Sequence, residues 1–410
     1  MIDKLRKYNQ QHLLKFAKDL TEEEYNSLMQ EIESIDFELV TKLYNETKNS
    51  AELLNADKGE ITPLACVDKS SMNKDEYDKY YELGIKLMKE GKYAALTMAG
   101  GQGTRLGYSG PKGSYFLGEP INKSLFQIQC QRLAARNKEL GCIIPWYIMT
   151  SRENDLQTKQ FFRDNDYFGY DKNSIMFFKQ GFLPMLLEDG RIVMTDKKTI
   201  KQGADGHGGV FKAAIDSGAV ADMKRRGVEW IFVGGIDNIL VRLDDPLFVG
   251  YLAANNFRLG GKSLIKRDPY EKAGVFCKRG GRPCVIEYTE ISDEMAHVTD
   301  EQGKYLYGDL HILCNMFNIG VFDDMANCGL PYHVAHKKTD YIDEHGNLIK
   351  PDAPNAYKYE AFMFDAFEYY ENMGILRVKR EEEFAPIKNK EGLDSPQSAA
   401  ELYIACEINK

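Results

Sequence analysis

Apolar and polar positions divide the chain into stretches of different period. Up to about residue 90 the spacing is helical. LRKYNQQHLLKFAKDL sets Leu5, Tyr8, Leu13 and Phe16 near one helix face. TEEEYNSLMQEIESI opens with Thr21 and carries Glu24 three residues on, a capping-box pattern. A third helix is predicted from Asp75 to Glu90, with Gly91 as its stop. From Lys92 the pattern changes to short unbroken apolar runs. YAALTM, IIPWYIM, IMFFK and EWIFVGG predict buried strands. SLFQIQCQRLAARN, DLQTKQFFRDN and GGVFKAAIDSG, between them, have helical spacing. Strands alternating with helices predict parallel βαβ units in a doubly wound α/β sheet, with ligands beyond the carboxyl ends of the strands.

Past Asn318 the pattern is mixed. DEHGNLIKPDAPNAYK predicts a hairpin with a surface loop, AFMFDAFEYY an aromatic helix, and GILRVKREEEFAPIKN a strand followed by a loop. SPQSAAELYIACEIN starts a helix with Ser395 and then Pro396 at the first helical position. The expected organisation is an N-terminal helical segment at 1–90, a catalytic domain at 91–390 and a small C-terminal lobe at 391–410. No repeat or low-complexity tract is visible.

The balance of 62 acids against 53 bases gives a net charge of −9, which argues against a nucleic-acid partner while leaving room for a local cationic pocket. Eight cysteines, none in a CxxC pair and most in apolar surroundings, read as reduced core residues of a cytoplasmic protein. The N-terminus has no uninterrupted apolar core of a signal peptide, and runs such as CIIPWYIM are too short to span a bilayer.

The chemistry concentrates in LTMAGGQGTRLGYSGPKG, residues 96–113. Gly100, Gly101, Gly103, Gly107, Gly110 and Gly113 are read as a backbone free to turn N–H groups inward, an anion cradle. Arg105 and Lys112 add full charges, and Pro111 fixes the backbone that aims Lys112. The loop follows a buried strand, which sets it apart from a solvated surface loop. It is not a dinucleotide fingerprint, because Leu106 stands where the third glycine belongs. It is not a Walker A loop, because GPKG lacks the lysine followed by Ser or Thr.

AGGQGTRLG…PKG resembles the signature loop of the eukaryote-type UDP-sugar pyrophosphorylases, most closely their UDP-N-acetylglucosamine branch. KSLFQIQ, WYIMTS, FFKQGFLP, GHGGVFKA, DNILV, VIEYTEIS, LPYHVAHKK and FAPIKN follow in the family's order. The resemblance covers about 90–390 and extends to the N-terminal helices. It implies a Rossmann-like nucleotidyltransferase fold, a mixed sheet with flanking helices. It also implies Mg²⁺-dependent formation of a UDP-sugar and pyrophosphate from UTP and a sugar 1-phosphate.

By that resemblance Arg105, Lys112 and Lys388 are catalytic cations and Asp237 is the metal ligand. Gly100, Gly101, Gly103, Thr104, Gln180, Gly206 and Asn238 are expected to hold UTP, with Gln180 and Gly206 at the uracil edge. His207, Glu287, Tyr288, Asn315, Asn318, Phe362 and Phe364 are expected around the sugar. His207 stands where the nearest pattern has Asn, so glucose or galactose 1-phosphate competes with N-acetylglucosamine 1-phosphate as substrate. The histidines of HVAHKK, residues 333–338, lack a third ligand pattern and are not read as a metal site. A nucleotide-sugar sensor without catalysis is the alternative of another class, with little need for Asp237 and Lys388. The enzyme is expected to act as a monomer.

Overall fold

A computed structural model describes residues 1–49 and 59–408; the part of the helical N-terminal reading at 50–58, and Asn409 of the tail helix, lie outside the described residues. Two compact units emerge. The first comprises Met1–Asp57, Gly181–Gly209 and Leu330–Met363, the second Lys58–Gln180, Val210–Gly329 and Phe364–Lys410.

The second unit is built on a mixed sheet. Its strands run, in spatial order, Val67–Asp68, Gly374–Arg377, Leu259–Ile265, Asp309–Asn318, Trp230–Gly235, Tyr93–Met98, Trp146–Thr150 and Ile175–Lys179. All six residues of Tyr93–Met98 are buried, as are all six of Trp230–Gly235, so neither strand alternates. Such runs are what a strand covered on both faces requires. Tyr93–Met98 pairs in parallel with both Trp146–Thr150 and Trp230–Gly235, and Asp309–Asn318 is antiparallel to its two neighbours.

Helix Leu125–Leu140 begins where the Ser124 side chain accepts from the Gln127 N–H, and ends at Gly141 with φ 70°. A buried polar chain ties this helix to the sheet. Trp146 donates to Thr97, Thr97 donates to Gln129 (both 2.9 Å), and Gln129 donates to the Gly235 carbonyl at 3.3 Å. Each donor in that chain is satisfied away from water, which is the condition for burying it. Helix Lys74–Lys89 starts at an Asn73 cap, and the tail helix Pro396–Ile408 contributes Ala399 and Cys406 to the main core. Ile61–Pro63 and Val67–Asp68 are short strands within a region read as helical. Val67–Asp68 joins the sheet edge beside Gly374–Arg377, because edge pairing is decided by a distant partner and not by local spacing.

In the first unit Thr21 and Glu24 form the predicted capping box. The single helix expected over residues 5–20 is instead helix Ile2–Lys7 followed by two short 3₁₀ turns, Gln11–Leu14 and Ala17–Asp19. Asn9 turns the chain with φ 55°. The Gln10 side-chain amide then donates to the Gly190 carbonyl and accepts from the Ile192 N–H, each at 2.9 Å, tying this turn to a distant segment. Leu5 and Leu13 still reach one core, shared with Leu186, Ile192 and Tyr359. The predicted hairpin is present as Tyr341–Ile342 against Leu348–Ile349, and the aromatic helix is a 3₁₀ helix, Met363–Tyr369. Among the described residues no helix is long and apolar enough to cross a membrane.

Candidate active site

Four parallel strands deliver their carboxyl ends to one side of the second unit's sheet, as the parallel pairing of Tyr93–Met98, Trp146–Thr150, Ile175–Lys179 and Trp230–Gly235 requires. The glycine-rich loop leaves the first of them at Ala99. It folds back on itself, with the Gly103 N–H on the Gly110 carbonyl at 2.9 Å and the Lys112 N–H on the Gly101 carbonyl at 3.0 Å. Asn154, wholly buried, holds its base by donating to the carbonyls of Ala99 (2.9 Å) and Gly101 (3.2 Å).

The N–H groups of Gly100, Gly101 and Gln102 donate to no acceptor among the described residues. Three successive free donors at a strand end form a ready anion site. The reason for the glycines differs from the expectation. Of the six, Gly107 alone has a positive φ, 71°. Others are small because of neighbours: a Cβ on Gly113 would stand 2.2 Å from the Phe126 ring.

Lys112 is 16 % exposed and its ammonium lies 4.0 Å from the Asp237 carboxylate. Its pKa is pushed down from the usual lysine value, first by burial; Asp237 opposes that shift, and Lys388 and Arg105 reinforce it. Asp237, Lys388 and Arg105, predicted with Lys112 from three separate motifs, thus all act on Lys112. A lysine facing one carboxylate and two further cations is under-compensated, and a polyanion would relieve it.

Asp237 follows Trp230–Gly235 by two residues, and its closest ion-pair partner among the described residues is Lys112. A partly exposed carboxylate with unfilled oxygens suits a hard divalent cation that takes its other ligands from phosphate and water. Asn238 has another task. Its side chain donates to the Glu383 carbonyl at 2.8 Å and accepts from the N–H groups of Leu240 (3.1 Å) and Ala385 (2.8 Å). The Ile387 N–H also bonds the Asp237 carbonyl at 2.8 Å. Asn238 therefore pins the segment that ends in Lys388 beside Asp237, with its own amide oxygen and one amide hydrogen occupied.

A buried ion triad anchors the same segment. Lys262, wholly buried, pairs with Asp245 at 2.5 Å and with Glu383. Burial alone would lower its pKa, but the two carboxylates outweigh that and raise it. A cavity of about 420 Å³ is lined by Asp237, Asn238, Lys388 and His311.

The other predicted residues are spread over both units. Gln180 follows strand Ile175–Lys179, and its Oε1 is 3.0 Å from where a Cβ on Gly100 would stand. Thr104 and Arg105 lie in an exposed 3₁₀ turn, Thr104–Leu106. Asn315 is wholly buried, Phe364 packs edge-on against His311 at 5.7 Å, and Glu287 is half-buried at the end of strand Arg282–Ile286. Tyr288 is exposed, and Asn318 caps helix Ile319–Cys328 by accepting from the Gly320 N–H. In the first unit, Gly206 has φ 88°, and a Cβ there would meet the Ala361 carbonyl at 2.2 Å, so glycine is required. His207 accepts from the Met363 N–H at 3.0 Å and stacks on Phe362, which stacks in turn on His333. Sequence reasoning missed Asn154, Lys262 and His311. Asn154 reads locally as an ordinary helix cap, and Lys262 and His311 as exceptions within strands.

An α/β sheet with an anion cradle, a cation cluster and a carboxylate at its strand ends defines a nucleotidyltransferase-type protein. The family model described as UTP–glucose-1-phosphate uridylyltransferase matches residues 35–402, and the chain belongs to that family of uridylyltransferase enzymes. It is 37% identical to human UDP-N-acetylhexosamine pyrophosphorylase-like protein 1, over 98% of this chain and 83% of that one. It is 36% identical to the Saccharomyces cerevisiae UDP-N-acetylglucosamine pyrophosphorylase, over 88% of this chain and 80% of that one. The crystal structure of the Trypanosoma brucei uridine diphosphate N-acetylglucosamine pyrophosphorylase in complex with an inhibitor matches with a TM-score of 0.86 at 28% identity, covering 98% of this chain and 84% of that one.

Proposed function

We propose that the enzyme makes UDP-N-acetylglucosamine and pyrophosphate, reversibly, from UTP and N-acetylglucosamine 1-phosphate. The observation that carries this reading is Lys112 in ion-pair range of Asp237 and in the field of Lys388 and Arg105, on the loop whose three successive backbone N–H groups have no acceptor among the described residues. The names carried by its relatives support the choice of sugar.

An oxygen of the sugar phosphate attacks the α-phosphorus of UTP, and the bond from that phosphorus to the bridging oxygen breaks as pyrophosphate leaves. Little covalent work falls to the protein, so positioning and charge supply the rate. The N–H groups of Gly100, Gly101 and Gln102 cradle the polyphosphate. Arg105 and Lys112 hold the leaving pyrophosphate as its charge grows. Lys388 lies between the two anions that must approach and offsets their repulsion. Gln180 reads the uracil, and Glu287, Asn315 and Phe364 serve the sugar. Asp237 would hold a Mg²⁺ ion, which when bound supplies charge neutralisation at the phosphates.

The test is pyrophosphate release from UTP and Mg²⁺ with N-acetylglucosamine, glucose and galactose 1-phosphates in turn. The reading expects release, with the highest kcat/KM for the acetylated sugar. No release with any of them would refute it. A tenfold preference for an unacetylated sugar would move the assignment to that substrate, the outcome that His207 in place of Asn favours.

A further inference from the structure

From Ala273, on the cavity wall, the chain runs into a β-hairpin. Strand Val275–Arg279 turns at Gly280 and Gly281, both with positive φ (56° and 81°), and returns as Arg282–Ile286. A two-residue turn with left-handed backbone at both positions favours glycine there. The register sets Arg279 against Arg282, Lys278 against Pro283 and Cys277 against Cys284. Pro283 has no N–H, so it cannot exchange two backbone hydrogen bonds with Lys278. The hydrogen-bonded pairs are those on either side, Cys277 with Cys284 among them. Opposed residues of that kind have Cα atoms about 5.5 Å apart, a separation that a disulfide spans.

The side chains complete the match. Cys277 Sγ lies 3.2 Å from Cys284 Sγ. A disulfide bond is about 2.05 Å long, so the sulfurs have about 1.2 Å left to close. All eight cysteines are free thiols, and no other two of them make such a contact among the described residues. Both members of the pair are buried, in a small core with Val275, Ile286, Tyr307 and Leu310. In the closed hairpin the Cys277 thiol is pushed up, first by its contact with Cys284 and then by burial, while Arg279 draws it the other way. It keeps its proton and is a poor nucleophile there.

That protection is thin on one side. Arg282–Ile286 pairs with Val275–Arg279 alone among the described strands, so a single ladder holds Cys284 in place. Opening so short an edge strand is a local event, far less costly than global unfolding. Once open, both sulfurs meet water as ordinary thiols, still tethered seven residues apart.

We infer that Cys277 and Cys284 are a reversible oxidation site, closing to a disulfide when a small peroxide reaches the opened hairpin. One thiol, as its anion, attacks an oxygen of hydrogen peroxide; the O–O bond breaks, one water leaves and a sulfenic acid forms. The second thiol attacks that sulfur, the S–S bond forms and the second water leaves. Two thiols and one peroxide become one disulfide and two waters, the sulfurs giving up two electrons to the peroxide oxygens. A dithiol reverses the step by exchange. While the bond is closed, the edge strand cannot part from its neighbour.

The experiment uses the full chain, reduced, freed of reductant and given hydrogen peroxide at pH 7. Catalase then removes the peroxide, iodoacetamide in urea blocks the remaining thiols, and trypsin cuts the chain. Cleavage at Lys272, Lys278, Arg279 and Lys304, with Arg282 protected by Pro283, puts the two cysteines on separate peptides, 273–278 and 280–304. The expected product is these two peptides joined, two hydrogens lighter than their sum and at least tenfold more abundant than any other linked pair. Dithiothreitol added before the blocking step should return both to free thiols. Recovery of both cysteines as blocked thiols after peroxide would overturn the inference. So would either one recovered as a sulfinic acid without a link, a predominant link to a different cysteine, or a link that dithiothreitol leaves intact. No readout here depends on turnover, so the site stands or falls apart from the substrate reading.

Discussion

Replacing Lys112 by methionine should separate activity from stability. The ammonium lies 4.0 Å from Asp237 on a side chain 16 % exposed. Two unit charges at that distance interact by about 4 kcal/mol at an effective dielectric of 20, which sets the scale for a phosphate oxygen held equally near. Removing one preorganised group of this kind costs about 2.7–4 kcal/mol in the transition state, or about 10²–10³ in kcat. Stability should respond otherwise. Burial first, then Lys388 and Arg105, push the Lys112 pKa below its unfolded value against the opposing pull of Asp237. The folded chain therefore binds this proton less tightly than the unfolded one. The resulting cost is fully present below the folded pKa and is recovered as pH rises toward the unfolded value. At pH 7 the variant sheds that cost, and methionine keeps the apolar stem. Steady-state kcat and the urea midpoint, both at pH 7, test the argument. A kcat within threefold of the parent, or a stability loss above about 1 kcal/mol, would refute it, since a relieved cation should not destabilise beyond an ordinary surface substitution.

Asp237→Asn should abolish or strongly right-shift the Mg²⁺ dependence of turnover, read by a metal titration; an unchanged curve would assign the metal to another group. Asn238→Ala leaves three buried backbone groups short of a partner, which at about 1 kcal/mol each predicts a loss of about 3 kcal/mol in urea unfolding. The same variant should lower kcat through a displaced Lys388 and leave the KM for UTP unchanged; weaker UTP binding would instead mark Asn238 as a nucleotide contact. Lys262→Met removes the nearest cation from buried Asp245 and leaves Glu383 only its longer pairs with Lys69 (3.6 Å) and Arg242 (3.9 Å), and should cost about 3–5 kcal/mol. Against burial, Lys262 is the largest influence holding the Asp245 pKa down, so without it the Asp245 pKa should rise and the variant should regain stability as pH falls; a loss independent of pH would contradict the pairing.

Much of the fold was readable because it rests on short-range rules. Tyr93–Met98 and Trp230–Gly235 are continuous apolar runs, and only a strand covered on both faces tolerates them. The Thr21–Glu24 box and the Ser124 cap are contacts across three residues. The helical reading of residues 5–20 went astray for the opposite reason: the chain turns at Asn9, and the Gln10 side chain is held by Gly190 and Ile192, which no local window contains. Glycine in the loop was legible as composition, yet Gly113 is small because Phe126 crosses it, and Gly107 because the chain turns left-handed there.

The residue order by itself determined which strands are buried, which loop carries free N–H groups and cations, and which carboxylate follows a strand end. Only the tertiary structure decided that Arg105, Asp237 and Lys388 all act on Lys112, and that Asn238 is occupied in holding the segment that ends in Lys388. The division has a physical cause. Periodicity and caps depend on neighbours within a few residues, whereas a site forms where sheet pairing closes chain separations of a hundred residues or more, and that closure depends on every strand between.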